Sequence, residues 1–381
     1  MNPIKDFKVA FLLPSTWFYW QPVLAKLAIK FPQTKLFTTH WTGFSKGLDQ
    51  AFLVQELSQR KFVEIKSSKE GYSYGFTYLP LGIVNKLLEF KPNFIFSNSF
   101  GIWTILAILA KPLGRWKIII AYEGSSPNVD YAKSPLRLGI RKVMAKFSDG
   151  LVTNSQAGER YLVEVLKISP DKVYKKPYEV PVAEAFLDKQ LDSTDLPIEP
   201  GKKIFLYVGK IVPRKGIHYL LNACVALKKS DIEDFALVII GNGNQKNELE
   251  EFCNKNGLNS HVFWLGRIDY QQLGAYFKKA DVFVLPTLED TWGMVVLEAM
   301  LFSKPILCSK WAGSSDLVEH GKNGYVFDPR DTNELSRYMA SFIKDGEKVI
   351  RMGHESGETI KQFTPAQAAD NFVEIIVNTM D

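Results

Sequence analysis

Asp290 and Glu298 frame the segment of this 381-residue chain best suited to chemistry. The segment leaves an apolar run, Val282 to Leu285, and crosses an acidic loop containing Gly293. It then enters a helix-like stretch in which Glu298 lies among Val295, Val296, Leu297 and Met300. A helix starting there offers unpaired backbone N–H groups at Trp292, Gly293, Met294 and Val295, and such a terminus attracts phosphate. Carboxylates repel phosphate but accept hydrogen bonds from hydroxyls. The order carboxylate, amides, carboxylate therefore fits a ligand with hydroxyls at both ends and phosphate between them, a nucleotide-diphosphate sugar. If every intervening residue were helical, the two acids would stand ~12 Å apart, room enough for a diphosphate. Glu298 among apolar neighbours needs hydrogen-bond donors to be buried at all. Asp290 or Thr291 could equally serve as a helix N-cap, and Glu289 reads as an exposed loop acid.

A diphosphate also needs positive charge. No Asp-any-Asp pair stands at a convincing strand end, so side chains must supply it. Lys210 and Lys215 follow the strand-like run Ile204 to Val208 and its terminal Gly209, with Arg214 beside them. One charge pair near 4 Å contributes on the order of 4 kcal/mol at an effective dielectric of about 20. Two lysines and a helix N-terminus can thus stand in for a divalent cation, although a solvated lysine cluster is the plain alternative. Gly241-Asn242-Gly243-Asn244 resembles half of a dinucleotide fingerprint, but Lys246 occupies the third glycine's place, which leaves a tight strand-to-helix turn. His40, His218, His261, His320 and His354 show no ligand spacing, so no metal is assigned and no cofactor is expected. Cys224, Cys253 and Cys308 are too scattered for a disulfide framework and read as core residues.

The elements that must position these groups alternate in type. Strand candidates in the first half are Lys8 to Leu13, Lys35 to Thr39, Phe62 to Ile65, Phe94 to Ser97, Lys117 to Ala121 and Gly150 to Thr153. Helix-like segments lie between them: Trp20 to Phe31, Leu81 to Phe90, Ile102 to Leu113 and Pro135 to Phe147. Runs that are apolar without alternation predict parallel sheets covered on both faces. After the break Leu196-Pro197-Ile198-Glu199-Pro200-Gly201 the rhythm restarts, with strands Ile204 to Val208, Ala236 to Ile240, Val262 to Leu265, Val282 to Leu285 and Pro305 to Cys308. A periodic helix, Pro365 to Met380, closes the chain. The predicted division is 1–190, 200–360 and a terminal helix in 361–381, which makes two doubly wound α/β domains.

With 46% hydrophobic and 23% charged residues, the chain reads as globular. Residues 1–190 hold 26 Lys and Arg against 15 Asp and Glu, a balance of +11; the remainder holds 21 against 26, or −5. A basic half rich in aromatics (Trp17, Phe18, Tyr19, Trp20, Phe37, Trp41, Phe44) suits contact with an anionic membrane surface, an acidic acceptor, or plain solvation. Neither the run Val9 to Leu13 nor Ile102 to Ala110 reaches the ~20 residues of a membrane span. The expectation is a cytoplasmic protein, with peripheral contact at the inner face of the membrane as an option. No nucleic-acid partner is expected.

The segment from Leu285 to Met300 resembles the acidic signature of the retaining family 4 glycosyltransferases, in which two glutamates flank seven residues. Asp290 stands where the first glutamate is usual. Val208-Gly209-Lys210-Ile211-Val212-Pro213-Arg214-Lys215-Gly216 is similar to the family's glycine-arginine turn followed by lysine-glycine. Lys304-Pro305-Ile306-Leu307-Cys308, Ala312-Gly313-Ser314-Ser315-Asp316-Leu317-Val318 and Gly321-Lys322-Asn323-Gly324 supply a third match in the right order. The likeness is dense from about residue 204 to 335. It implies a GT-B fold, two Rossmann-like domains facing a central cleft, with the last helix crossing back to the first. It further implies transfer, with retention of configuration, from a nucleotide-diphosphate sugar to a glycan or lipid-linked acceptor, as in bacterial polysaccharide, lipopolysaccharide or glycolipid assembly. By the same correspondence Glu298 holds the ribose hydroxyls and Asp290 the sugar. Lys210, Lys215 and the amides of Gly293 and Met294 stabilise the leaving diphosphate, and Gly266-Arg267-Ile268 lies near the base. Glu123, in Ile118-Ile119-Ile120-Ala121-Tyr122-Glu123-Gly124, occupies the place of a usual histidine, as a partner of sugar or acceptor hydroxyls or as a salt-bridge residue. Pro14-Ser15-Thr16-Trp17 lacks the family's paired glycines. A sugar-nucleotide epimerase or isomerase and a non-catalytic sugar-nucleotide-binding partner are the alternative readings.

Overall fold

The computed structural model describes residues 6–15, 19–58, 61–67, 73–186 and 196–380. The chain divides into two compact units, one comprising residues 1–66, 73–180 and 363–381, the other 67–72 and 181–362.

In chain order the first unit contains β1 (Val9–Leu12), α1 (Trp20–Lys30), β2 (Thr34–Thr38), β3 (Leu53–Glu56), β4 (Lys61–Ser67), β5 (Ser73–Tyr78) and α2 (Ile83–Phe90). It continues through β6 (Phe94–Asn98), α3 (Ile102–Gly114), β7 (Lys117–Tyr122), α4 (Pro127–Asp130), α5 (Pro135–Phe147), β8 (Gly150–Thr153), α6 (Gln156–Arg160) and β9 (Val173–Lys175). Seven strands make one parallel sheet in the order β3-β2-β1-β6-β7-β8-β9. Strand order reverses between β1 and β6, the mark of a doubly wound sheet. β1 is buried along its whole length, as a strand covered on both faces must be.

The second unit contains β10 (Lys203–Val208), α7 (Ile217–Lys229), β11 (Phe235–Ile240), α8 (Lys246–Lys255), β12 (Val262–Gly266), α9 (Leu273–Lys279) and β13 (Val282–Leu285). After them come α10 (Met294–Leu301), β14 (Ile306–Ser309), β15 (Gly324–Phe327), α11 (Thr332–Lys344) and α12 (Gly346–Ile360). Its six parallel strands run β12-β11-β10-β13-β14-β15, with the reversal between β10 and β13.

The last helix, α13 (Pro365–Asn378), belongs to the first unit. Thr364 caps it by accepting from the Gln367 N–H at 3.2 Å, and Pro365 suits its first turn. Its Phe372 is fully buried and meets Phe11, Trp20, Phe96 and Tyr178 with ring centroids 4.8 to 6.1 Å apart.

The expected strands and helices are present, most within one or two residues of their predicted ends. Phe62 to Ile65 is the exception in role: it lies in β4, which among the described residues pairs with β5, outside the parallel sheet. Trp20 and Phe37 are core residues of two different clusters, and Trp41 and Phe44 pack partly buried against the cluster that holds Trp20. Trp17 and Phe18 lie outside the described residues, as does Thr16. All three cysteines are buried.

Candidate active site

In a doubly wound sheet, ligands bind outside the carboxyl ends of the strands where the order reverses. In the second unit those ends are Val208 of β10 and Leu285 of β13, and the loops that follow carry Lys210, Arg214 and Lys215 on one side and Asp290 on the other.

Backbone contacts hold the first loop. Gly209 donates to the Ile240 carbonyl and Ile211 to that of Asn242, each at 2.9 Å. The buried Tyr207 hydroxyl donates to the Lys210 carbonyl at 2.8 Å, while the Lys210 side chain is exposed. The turn Gly241-Asn242-Gly243 runs directly against this loop. Gly241 has φ +141°, and a Cβ there would stand 1.8 Å from the Gly209 carbonyl oxygen, so only glycine fits. Gly243 lies as close to Ile211, and Gly241 donates to the Gly266 carbonyl at 2.7 Å, which brings the exposed Arg267 alongside.

A second set of bonds ties the turn 213–216 to the loop 286–290. Leu288 N–H and the Thr287 hydroxyl donate to the Arg214 carbonyl at 2.8 and 3.1 Å, and Arg214 Nη1 donates back to the Glu289 carbonyl at 3.3 Å. Glu289, expected to be an exposed loop acid, is 6% exposed, because this bonding folds its segment inward. With the two loops so fixed, the Lys215 ammonium donates to Asp290 Oδ2 in an ion pair. Asp290 is also held through its backbone, donating to the Trp311 carbonyl at 3.2 Å and accepting from Gly313 at 3.1 Å.

Neither Asp290 nor Thr291 caps α10. Gly293 occupies that position with φ +88°, and a Cβ there would press on Ser314 Oγ at 2.8 Å. Helix starts at Met294, so the estimate of separation for an all-helical segment does not apply. Trp292 is a core side chain whose carbonyl accepts from Ser314 N–H at 2.6 Å, whereas Met294 and Val295 are half-exposed at the helix start. One turn further, Glu298 is buried. Tyr270 donates to its Oε1 at 3.0 Å. Burial pushes the Glu298 carboxyl up to about 7, and the Tyr270 hydrogen bond opposes that rise. The Tyr270 phenol is itself driven up by burial and by the facing carboxylate. Sequence reasoning missed Tyr270: it lies 28 residues away in a short turn without a motif.

The arrangement can hold an anion between an ammonium and a row of amides, and hydroxyls at two carboxylates. Glu123 lies in the first unit, exposed just beyond β7. Among the described residues no group of three or more His, Cys, Asp or Glu is placed to hold a metal ion.

Residues 188–358 match the family described as glycosyl transferases group 1. The second unit is a glycosyl transferases group 1 domain. An uncharacterized glycosyltransferase of Methanocaldococcus jannaschii is 28% identical over 57% of this chain and 62% of its own length. A GDP-mannose-dependent alpha-(1-6)-phosphatidylinositol monomannoside mannosyltransferase of Mycobacterium tuberculosis is 28% identical over 40% of this chain and 41% of its own. The chain spans about half the length of the curated relatives it matches. The crystal structure of Anabaena Alr3699/HepE in complex with UDP-glucose superimposes with a TM-score of 0.73 at 18% identity, covering 98% of this chain and 100% of that one. With its two doubly wound units, the chain has the GT-B fold of these structural neighbours.

Proposed function

We propose that this chain is a retaining glycosyltransferase that moves a sugar from a nucleotide-diphosphate sugar to an acceptor hydroxyl without a metal ion, in assembly of a surface polysaccharide or glycolipid. The observation that carries this is the convergence, at the switch point of the second unit, of the Lys215–Asp290 pair, the α10 N-terminus and the buried Glu298. Relatives named for GDP-mannose and a neighbour solved with UDP-glucose support the donor class.

In this reading Glu298 accepts from the ribose hydroxyls, and Asp290 accepts from hydroxyls of the transferred sugar. Lys210, Lys215 and the N–H groups of Gly293 and Met294 face the diphosphate, with Gly241, Gly243 and Arg267 on the nucleotide side. The bond from the anomeric carbon to the diphosphate oxygen breaks, and the acceptor oxygen bonds to that carbon on the same face. Its proton passes to the departing phosphate oxygen. Charge growing on that oxygen is what the ammonium groups and amides stabilise, since they gain most where charge develops. Glu123 is the candidate partner for acceptor or sugar hydroxyls.

Calorimetry with UDP-, GDP- and ADP-sugars, with and without EDTA, tests the reading on wild type and Glu298→Ala. One nucleotide should bind selectively, indifferent to EDTA, and the binding should vanish in Glu298→Ala. Binding abolished by EDTA would remove metal independence. An isomeric nucleotide sugar made without acceptor would replace transfer by isomerisation.

A further inference from the structure

The first unit carries an apolar surface that its fold leaves uncovered. On α5, Leu136, Ile140, Val143 and Phe147 are 76, 44, 56 and 56% exposed. Their spacing of four, three and four residues puts them on one narrow stripe, because a helix advances about 100° per residue. α5 enters the core through Ala145, opposite the stripe, and Met144, on its flank. Neighbouring α3 shows the same habit: Leu109 and Leu113 are 71 and 75% exposed, with Ile102 on the same side at 39%. The two helices are tied where Lys111 donates to the Phe147 carbonyl at 3.3 Å. Single exposed leucines are ordinary; seven large apolar side chains in register on two adjacent helices are not.

The charge around the stripe is one-sided. Residues 102–149 hold eight Lys and Arg against three carboxylates, Glu123, Asp130 and Asp149; Lys111 and Lys117 pair with Asp149 and Arg141 is buried, which leaves five exposed cations. α5 itself contains no acid. Arg137 projects to one side of the stripe, and Lys142 and Lys146 to the other; all three are exposed, as are Lys133 and Arg115. An apolar stripe bordered by cations on both sides is the pattern of a helix lying in the headgroup region of a bilayer, its rings and branches among acyl chains and its long basic side chains reaching phosphates. A second copy of this chain would meet it less well, since a two-fold interface sets the same cations against each other. Among the described residues no helix is long and apolar enough to cross a membrane, so such contact would be peripheral.

We infer that the α3–α5 face docks this protein on an anionic lipid surface, with α5 lying in the plane of the interface. This inference does not depend on the sugar-transfer reading. Flotation of the full chain with vesicles tests it, using pure phosphatidylcholine against phosphatidylcholine with about one third phosphatidylglycerol. The chain should float with the anionic vesicles, less at high salt, and stay behind with the neutral ones. Each Lys or Arg near such a surface corresponds to a factor of about five in partitioning, so Lys142→Ala with Lys146→Ala should lower it about 25-fold. Leu136→Ser with Phe147→Ser should lower it similarly while leaving salt sensitivity intact. Both pairs are exposed, and unchanged thermal unfolding and nucleotide binding would show that the fold is intact. Wild type that ignores anionic vesicles, or variants that float as well as wild type, would overturn the inference. So would concentration-dependent self-association or capture by an acidic protein, in place of vesicle binding, that these variants abolish.

Discussion

Glu298 should make donor binding a proton-linked event. Its carboxyl is buried and pushed up to about 7, with the Tyr270 hydroxyl at 3.0 Å pulling the other way. A ribose diol donating to the carboxylate favours its ionised form, so bound nucleotide should return the group toward the usual 4.5. That gap of roughly 2.5 units amounts to about 3 kcal/mol linked to ionisation. Apparent affinity should climb about five- to sevenfold per pH unit from about pH 5 to about pH 7, roughly 40-fold in all, and then level off. At about pH 6, close to 0.9 proton should leave per nucleotide bound. Calorimetry in buffers of unlike ionisation enthalpy reads that proton directly. The stability of the free protein should carry the matching sign. A carboxyl whose folded pKa is raised stabilises the fold fully below about pH 4.5, and that contribution is lost as pH rises through about 7. Glu298→Gln should flatten both curves. Affinity that stays level from about pH 5 to pH 8, or a slope that persists in Glu298→Gln, would refute the reasoning.

Lys215→Ala should slow sugar transfer by about 10²- to 10³-fold, measured as nucleotide release with acceptor present, because the loss falls on charge that develops in the transition state. An unchanged rate would exclude Lys215 from the chemistry. Tyr270→Phe removes the hydrogen bond that holds the Glu298 pKa down, so the pH at which nucleotide affinity levels off should move upward; titrations of both proteins would show it. Gly241→Ala forces a Cβ against the Gly209 carbonyl at a φ that side chains rarely adopt. It should destabilise the second unit by about 2 to 3 kcal/mol or more, and a thermal midpoint within a degree or two of wild type would contradict the backbone contact.

The sequence displays central strands best. β1 and β13 are buried end to end, so their residues form unbroken apolar runs that need no neighbour to interpret. Edge strands were harder: β3 is Leu53–Glu56, half-exposed and half-polar, and β9 has three residues. β15 hides in the turn-rich segment after Gly321. The same limit applies at the site. Lys215 and Asp290 stand out because they follow buried strands on either side of the switch point. Glu289 was misjudged because its burial depends on Thr287 and Arg214, the latter 75 residues away. Tyr270 reaches Glu298 from a separate turn. Neither local propensity nor spacing records such a partner.

Giving Lys215 to the diphosphate and Asp290 to the sugar treats them as separate tools, yet the two are bonded to each other. An ammonium carries three donors, and Asp290 takes one, which leaves two for phosphate oxygens. The side chains are only 12 and 15% exposed, so removing either partner strands a charge in a poorly solvated place. The pair also separates two incompatible surroundings: an anion is welcome beside the ammonium and a hydroxyl beside the carboxylate, and in the proposed donor the bond to be broken would lie between such groups. Its geometry is set before any ligand arrives, because Arg214 and Thr287 lock the two loops together. Gly216 completes that lock. It has φ +67°, and a Cβ there would stand 2.1 Å from the Pro286 carbonyl oxygen. A preset pair stabilises growing charge without reorganising at the moment of reaction. If the chain transfers sugar as proposed, Gly216→Ala, at a residue assigned no ligand contact, should slow transfer by forcing β10's loop away from β13's.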